Sequence, residues 1–304
     1  MTEFGLGLQT DKRPGEYAAL ARVAEDAGFA VVTTFNDLWY QPALPALLEI
    51  AGATSRVRVG PSCLNPYTVH PVEIAGQVAA LDLASHGRAF LGLAAGSWLG
   101  ELGVEQRRPL ATVREAWEVV ARLLAGDRSG FVGDVFRLEP GRGLEYEVER
   151  DGVPLLVGTW SPGLMGFARE HAAELKIGGC ANPAMVRLAR QRVGDDVAVV
   201  VGAVTVADED ERRARERARR HVAMYLAVVG ELDPTVELDP EMLAAVRDGD
   251  AAAIPDDVLD LFAFAGTPER IRAHADALFA AGASRVEFGN PVGLELLVQR
   301  LRPG

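Results

Sequence analysis

Residues 58–96 read RVGPSCLNPYTVHPVEIAGQVAALDLASHGRAFLGLAAG and contain the pattern that decides the fold. The short apolar run Val57–Gly60 is followed by the amphipathic stretch Val72–Ala84 and then by a second apolar run, Ala89–Leu93. Gly87 follows the amphipathic stretch where a helix would end. The order predicts strand, helix and strand. Because a helix connects the two strands, we expect them to be parallel.

The same alternation extends in both directions along the chain. The predicted strands are Phe4–Leu8, Ala30–Thr34, Val57–Gly60, Ala89–Leu93, Pro154–Val157, Leu175–Ile177, Ala198–Val206 and Arg285–Gly289. The predicted helices are Glu16–Ala27, Leu44–Ala53, Val72–Ala84, Thr112–Ala125, Leu164–His171, Ala184–Arg192, Glu209–Tyr225 and Leu294–Leu301. Eight such units favour an α/β fold closed into a (β/α)8 TIM barrel, with residues 1–304 forming a single domain.

Two stretches interrupt the repeat. Residues 127–152 alternate polar and apolar side chains around Gly and Pro, which predicts a small β excursion after unit four. Residues 226–284 contain the patterns PEMLAAV, DDVLDLFAFA and TPERIRAHADALFAAG, which predict a helical insertion before the last strand.

The composition excludes several partners. Acidic side chains number 43 against 31 basic ones, for a net charge of −12, so the chain lacks the positive field that nucleic acid or an anionic membrane requires. No run is long and apolar enough for a membrane span, and the amino terminus lacks a signal-peptide pattern, so we expect a cytoplasmic protein. Cys63 and Cys180 are too few for a disulfide framework or a zinc cluster.

The segments that follow the predicted strands are the candidates for a functional site, because barrel enzymes bind ligands at these strand ends. They read FNDLWYQP, GPSCLNPY, GLAAGSWLGE and VGTWSPGL, rich in Gly, Ser, Asn and aromatic residues. Such a lining suits a large planar ligand held by backbone groups and stacking. The loop Gly158–Gly163 opens a helix, whose free N–H groups can hold a phosphate, although Gly and Pro there also suit an ordinary turn.

Individual side chains support several interpretations. Asp37 and Glu101 are the carboxylates nearest to strand ends, where they are either acid–base groups or solvated loop charges. The loop aromatics Trp39, Tyr67, Trp98 and Trp160 favour a stacking pocket over core filling. The five histidines have no zinc-type spacing, so we predict no metal site. No esterase elbow, P-loop or dinucleotide fingerprint occurs.

The sequence also resembles a known family, the luciferase-like oxidoreductases (luciferase-like monooxygenase superfamily), and within it the methylenetetrahydromethanopterin reductase branch. The segments that carry the resemblance are YAALARVAEDAGFAVV, residues 58–96, LKIGGCANPAMV and FAFAGTPERI, in the order of the family. The resemblance implies a TIM barrel, a homodimer, a small organic substrate and the deazaflavin coenzyme F420, with FMN as the alternative coenzyme.

The resemblance also implies coenzyme-binding residues. Ser62–Cys63 matches a non-prolyl cis peptide bond that forms a bulge behind the ring of the coenzyme. Asn65, Ala95 and Gly96 are expected to touch the ring. The residues expected around its phosphate and tail are Gly158, Thr159, Trp160, Ser161, Gly163 and Leu164.

The side chains that perform chemistry match the family less well. Members of the reductase branch have acids where this chain has Gly7 and Ser97, and many relatives have Asp-His where it has Asn36 and Asp37. The catalytic candidates are Asp37 as a proton relay, with Asn36, Ser97 and Trp98 beside it. Three hypotheses follow: a deazaflavin-dependent hydride-transferring oxidoreductase, an FMN-dependent monooxygenase, and a coenzyme-binding protein without turnover.

Overall fold

The computed structural model describes residues 2–301 and contains eleven strands within them. Nine strands form one parallel sheet and two form a separate hairpin. In chain order they are β1 (Glu3–Leu8), β2 (Val31–Thr34), β3 (Arg58–Pro61), β4 (Leu91–Ala94), β5 (Phe131–Val132), β6 (Arg137–Leu138), β7 (Leu155–Gly158), β8 (Glu174–Gly178), β9 (Ala198–Ala207), β10 (Ala263–Gly266) and β11 (Arg285–Val292).

Twelve α-helices lie in the same part of the chain. They are α1 (Glu16–Asp26), α2 (Ala43–Ala53), α3 (Pro71–Ser85), α4 (Pro109–Leu124), α5 (Pro162–His171), α6 (Pro183–Val193), α7 (Glu211–Ala223), α8 (Leu226–Leu232), α9 (Pro240–Arg247), α10 (Asp256–Phe262), α11 (Pro268–Ala280) and α12 (Leu294–Leu301). Within residues 2–301, none of these helices has the length and apolar character needed to span a membrane.

Eight of the parallel strands close into a barrel. They follow the order β3, β2, β1, β11, β9, β8, β7, β4 around the sheet. The end strands β3 and β4 meet through parallel bridges that join Val59 to Ala89 and Leu64 to Leu93. Outside the strands, α1 to α6, α11 and α12 contact one another in turn and complete a ring. The predicted (β/α)8 barrel is confirmed.

The contact between β3 and β4 depends on two glycines. A Cβ on Gly60 would lie 2.6 Å from the carbonyl oxygen of Phe90, and a Cβ on Gly92 would overlap the carbonyl oxygen of Pro61. Any side chain at these positions would push the two strands apart. The two glycines therefore permit the barrel to close between β3 and β4, which share few backbone hydrogen bonds.

The first interruption of the repeat is the predicted β excursion. Strands β5 and β6 pair as a short antiparallel hairpin within residues 127–152. Glu115 on α4 holds the turn of the hairpin, because its carboxylate accepts hydrogen bonds from the backbone N–H groups of Asp134, Val135 and Phe136 at 2.8–3.0 Å. The hairpin is thereby fixed to the outer ring of helices.

The second interruption differs in two ways from the sequence prediction. The whole of DDVLDLFAFA was predicted as helix, but its last three residues belong to strand β10 (Ala263–Gly266), which pairs in parallel with the outer half of β9. The ring position after α6 was assigned to Glu209–Tyr225, but α11 fills it and α7 packs on β9 and β10 instead. The reason is the length of β9, whose ten residues extend beyond the barrel and provide a second pairing surface.

A separate apolar cluster forms around this extension. Side chains of α7 to α10, including Val222, Leu226 and Phe262, pack against Val206 and Ala265 of the extended strands. Asn182, which follows β8, donates hydrogen bonds to Asp233 and Thr235 at 2.9 Å. The insertion thus lies beside the carboxyl ends of β8 and β9.

Replacing Gly92 with alanine is expected to lower the free energy of unfolding by about 3 kcal/mol, because the added methyl group overlaps the backbone of β3. The matched control is Gly166→Ala on α5, where a Cβ meets open space. We expect the control to raise stability by about 0.5–1 kcal/mol. Urea denaturation measures both values, and equal stabilities for the two variants would contradict the role of Gly92.

Candidate functional site

The carboxyl ends of β3, β4 and β7 form a surface of small residues. The Ser62–Cys63 peptide bond at the end of β3 is cis, as the resemblance implies. A Cβ on Gly158 would lie 2.6 Å from Cys63 Sγ, so the end of β7 approaches the cis bond closely. Ala95 and Gly96 follow β4 directly. The structure therefore brings these predicted residues together.

Neither cysteine is an activated nucleophile. Burial raises the pKa of the Cys63 thiol to about 11, and burial raises that of Cys180 to about 12. At neutral pH both thiols are protonated, which suits packing rather than nucleophilic catalysis.

Asn65 holds the loop that follows the cis bond. Its side-chain oxygen accepts hydrogen bonds from the backbone N–H groups of Tyr67 and Thr68 and from the Thr68 hydroxyl, at 3.0–3.2 Å. A Cβ on Gly96 would lie 3.0 Å from Asn65 Cγ, so the loops after β3 and β4 are in contact. The amide group of Asn65 remains available as a donor.

The loop between β7 and α5 contains the predicted phosphate-binding residues. The Thr159 hydroxyl accepts a hydrogen bond from Ser161 N at 2.9 Å, and Trp160 Nε1 donates to Gly178 O at 3.1 Å. Gly163 lies in the first turn of α5, where backbone N–H groups lack helical partners. Leu164 is buried, so only its backbone can face a ligand.

The two residues after β2 have different surroundings. Asn36 Oδ1 accepts from Ala43 N at 3.1 Å and so caps the start of α2. Asp37 Oδ2 accepts from Gln9 Nε2 at 2.9 Å. Burial raises the pKa of Asp37, although the Gln9 hydrogen bond and the positive charge of Lys176 lower it in part. Asp37 is thus the better candidate for moving a proton.

The remaining candidates lie at the rim. Ser97 is exposed, and Trp98 is 41 % exposed with a left-handed backbone at φ 57°. Trp39 is 75 % exposed, and its Nε1 donates to Glu101 Oε2 at 3.0 Å, which joins the loops after β2 and β4. Of the predicted aromatic set, Trp39 and Trp98 therefore lie exposed at the rim, whereas Trp160 is partly buried against the core.

Sequence reasoning missed the charged group beneath this surface. Lys176 on β8 and Glu287 on β11 are 5 % and 1 % exposed and form an ion pair inside the barrel. Lys176 Nζ also donates to Ser62 Oγ at 2.7 Å. Thr33 Oγ1 donates to Glu287 Oε1 at 2.9 Å, while Glu287 Oε2 is buried without a hydrogen-bond partner. The phenyl ring of Phe35 covers the ammonium group at 5.6 Å.

Glu287 occupies the space beside Gly7. A Cβ on Gly7 would lie 2.8 Å from Glu287 Oε1 and 2.9 Å from the ring of Phe35. The acid that the resemblance places at position 7 is absent, but the carboxylate of Glu287 reaches the same region from β11. The glycine makes room for it.

A signal for this pair exists in the sequence. Lys176 and Glu287 each lie between apolar neighbours, in ELKIG and RVEFG, at the centre of predicted strands. Lysine is also rare here, because Lys12 and Lys176 are the only lysines in the chain. A charge in the middle of a barrel strand requires a buried partner or a function.

The fold and the strand-end surface of small residues define an α/β-barrel protein. Comparison with known proteins then gives the family. The luciferase-like monooxygenase family matches residues 1–285, and this chain belongs to it.

The relatives are oxidoreductases. The 5,10-methylenetetrahydromethanopterin reductase of Archaeoglobus fulgidus is 26 % identical over 320 residues, covering 96 % of this chain and 94 % of that one. An F420-dependent glucose-6-phosphate dehydrogenase of Nakamurella multipartita is 34 % identical over 163 residues, covering 49 % of this chain and 48 % of that one. The expected enzyme class, an oxidoreductase of the luciferase-like family, is confirmed.

Solved structures agree in fold. The coenzyme F420-dependent tetrahydromethanopterin reductase of Methanopyrus kandleri superposes with a TM-score of 0.86 at 24 % identity, covering 99 % of this chain and 97 % of that one. An F420-dependent secondary alcohol dehydrogenase superposes with a TM-score of 0.81 at 19 % identity, with 99 % of each chain covered.

Replacing Lys176 with methionine is expected to lower the free energy of unfolding by about 3–5 kcal/mol, because the buried Glu287 carboxylate loses the cation that is hydrogen-bonded to it. The double variant Lys176→Met/Glu287→Gln removes both charges and should recover at least half of that loss. Arg300→Met breaks an exposed ion pair with Glu269 and serves as the control, with a change within about 0.5 kcal/mol. Urea denaturation measures all three, and a double variant less stable than Lys176→Met would contradict the pairing.

Replacing Asp37 with asparagine is expected to raise stability more at pH 8 than at pH 4. Because folding raises the pKa of this carboxyl, ionised Asp37 destabilises the native state above the folded pKa. That cost disappears as the pH falls below the unfolded value of about 3.9. Urea denaturation at the two pH values gives the difference. A stability gain that is larger at pH 4 would show that the sign is wrong.

Proposed function

We propose that this chain is a hydride-transferring oxidoreductase that uses coenzyme F420 on a small organic substrate. The observation that carries the proposal is the surface of small residues at the ends of β3, β4 and β7, where Gly158 and Cys63 approach so closely that no side chain fits between them. Such a surface suits a flat ring system. The named activities of the F420-dependent relatives support the choice of coenzyme.

The residues of this chain fit the coenzyme as follows. Ser62, Cys63, Asn65, Ala95 and Gly96 would hold the ring. Gly158, Thr159, Trp160, Ser161, Gly163 and Leu164 would surround the phosphate and tail, with the free N–H groups at the start of α5 as donors. When bound, a deazaflavin supplies hydride chemistry, while the protein orients the reactants and excludes water.

The other predicted residues act on the substrate side. Asp37 would serve as a proton relay, since burial brings its pKa closer to neutrality. Asn36 would position that loop through its cap on α2. Ser97 and Trp98 would border the entrance for the substrate. The homodimer implied by the resemblance stays a prediction.

Titration of the purified protein with coenzyme F420 and with FMN, followed by fluorescence, tests the proposal. We expect F420 to bind at least about tenfold more tightly than FMN. Gly163→Asp should weaken F420 binding about tenfold, because its carboxylate competes with phosphate for the helix N-terminus. Gly166→Asp, one turn further along α5, is the control and should bind F420 nearly as the parent does.

The outcomes separate the three hypotheses. A preference for FMN would favour the monooxygenase. Tight F420 binding without hydride exchange with any substrate would favour the protein without turnover. Binding of neither coenzyme would contradict the proposal and the monooxygenase hypothesis together.

A further inference from the structure

The ion pair of Lys176 and Glu287 lies beneath the residues that would hold the coenzyme ring. Both side chains are buried, whereas Ser62 is half-buried at the end of β3. Ser62 Oγ accepts a hydrogen bond from Lys176 Nζ at 2.7 Å, and the ring of Phe35 covers the ammonium group at 5.6 Å. Ser62 is therefore the polar group that separates the ammonium group from the candidate site.

The two charges of the pair have different surroundings. Glu287 lies between two cations, because its Oε1 pairs with Lys176 and its Oε2 lies 4.0 Å from Arg285 Nε. The Thr33 hydroxyl also donates to Glu287 Oε1 at 2.9 Å. The ammonium group of Lys176 meets Glu287 on one side and the neutral hydroxyl of Ser62 on the other. The end of the pair that faces Ser62 is therefore the positive one.

The thiol of Cys63, next to Ser62, reports the sign of the field at the strand ends. Burial raises the pKa of this thiol to about 11. Of the two charges beneath it, Lys176 lowers that pKa by more than Glu287 raises it. The pair therefore acts on this surface as a positive charge, although its formal charge is zero.

A positive charge here affects the two redox states of a deazaflavin differently. When a hydride moves from a substrate to the coenzyme, a C–H bond of the substrate breaks, a C–H bond to the ring forms, and two electrons move with the hydrogen. The ring system thereby gains one negative charge. A buried cation stabilises that charge, because interactions between buried charges are screened less than those between exposed ones.

We propose that Lys176, positioned by Glu287, makes this site bind the reduced coenzyme more tightly than the oxidised one. This inference rests on the proposed function and adds a direction to it. Tighter binding of the reduced form shifts the equilibrium on the protein toward hydride removal, so oxidation of the substrate is favoured, with the coenzyme as the acceptor. Because Lys176 is buried beneath Ser62, it acts through its charge and not by contact.

Binding of the two coenzyme forms to the same protein tests the inference without turnover. Oxidised and reduced F420 are titrated into the parent protein under anaerobic conditions, without substrate, and followed by isothermal titration calorimetry. We expect the Kd of the reduced form to be lower by about tenfold or more. Tenfold corresponds to a rise of about 30 mV in the midpoint potential of the bound two-electron couple. Equal Kd values, or tighter binding of the oxidised form, would overturn the inference.

The double variant Lys176→Met/Glu287→Gln removes both charges together and is titrated in the same way. We expect the preference for the reduced form to fall by about tenfold, while the Kd of the oxidised form changes by less than about threefold. A purely structural role would weaken the binding of both forms equally. An unchanged ratio of the two Kd values would therefore overturn the inference.

A matched control removes an exposed ion pair of the same net charge. Glu269→Gln/Arg300→Met takes away the pair that joins α11 and α12 at 3.0 Å. We expect the ratio of the two Kd values to stay within about twofold of the parent. An equal fall in this variant would show a general effect of lost charges and would contradict the role of Lys176.

Salt dependence in the parent protein gives a second test that needs no variant. The field of a buried charge is screened much less than that of surface charges. We expect the ratio of the two Kd values to change by less than about twofold between about 0.05 M and about 0.5 M salt. A preference that disappears at high salt would come from surface charges and would overturn the inference.

Failure of this inference and failure of the proposed function give different results. If both forms of F420 bind the parent protein with equal Kd values, the role of Lys176 is wrong and the coenzyme assignment stands. If neither form binds, the proposed function fails and the inference fails with it.

Discussion

A series of alternating charges along the interior of the barrel, all buried except the half-buried Arg58, constrains the rest of this structure. Arg58 and Arg285 both donate to Glu174 Oε1 at 2.7 Å, Arg285 Nε lies 4.0 Å from Glu287 Oε2, and Glu287 pairs with Lys176. Each charge is stabilised by an opposite neighbour, because an isolated ion in this environment would be very costly. The series ends beneath Ser62, whose hydroxyl oxygen accepts a hydrogen bond from Lys176 Nζ at 2.7 Å.

Most of the architecture could be predicted because it depends on local patterns. Alternating apolar runs and amphipathic stretches identified the eight barrel strands, and Gly and Pro turns identified the hairpin near Phe131. Strand β10 was missed because Ala263–Gly266 continues the apolar pattern of α10, and only pairing with β9 decides its conformation. The position of α11 was missed for a related reason, since the ring order depends on how far β9 extends.

The parts of the candidate site that depend on the backbone conformation could be predicted. The strand-end glycines and the cis bond at Ser62 lie where the resemblance implies. The pair of Lys176 and Glu287 escaped notice because its partners are 111 residues apart, and sequence periodicity contains no information on which strands face each other across a barrel. The sequence comparison indicated that an acid is missing at Gly7. In the structure the carboxylate of Glu287, from β11, occupies the space beside Gly7.

The extension of β9 beyond the barrel has an evolutionary consequence. Helices α7 to α10 pack in an apolar cluster of their own, joined to the barrel chiefly through β9, β10 and the contacts of Asn182 with Asp233 and Thr235. Substitutions in that cluster can accumulate without disturbing the glycine contacts that close the barrel or the charges inside it. Descendants of this scaffold can therefore acquire a different covering beside the carboxyl ends of β8 and β9, while the surface of small residues at the ends of β3, β4 and β7 stays unchanged.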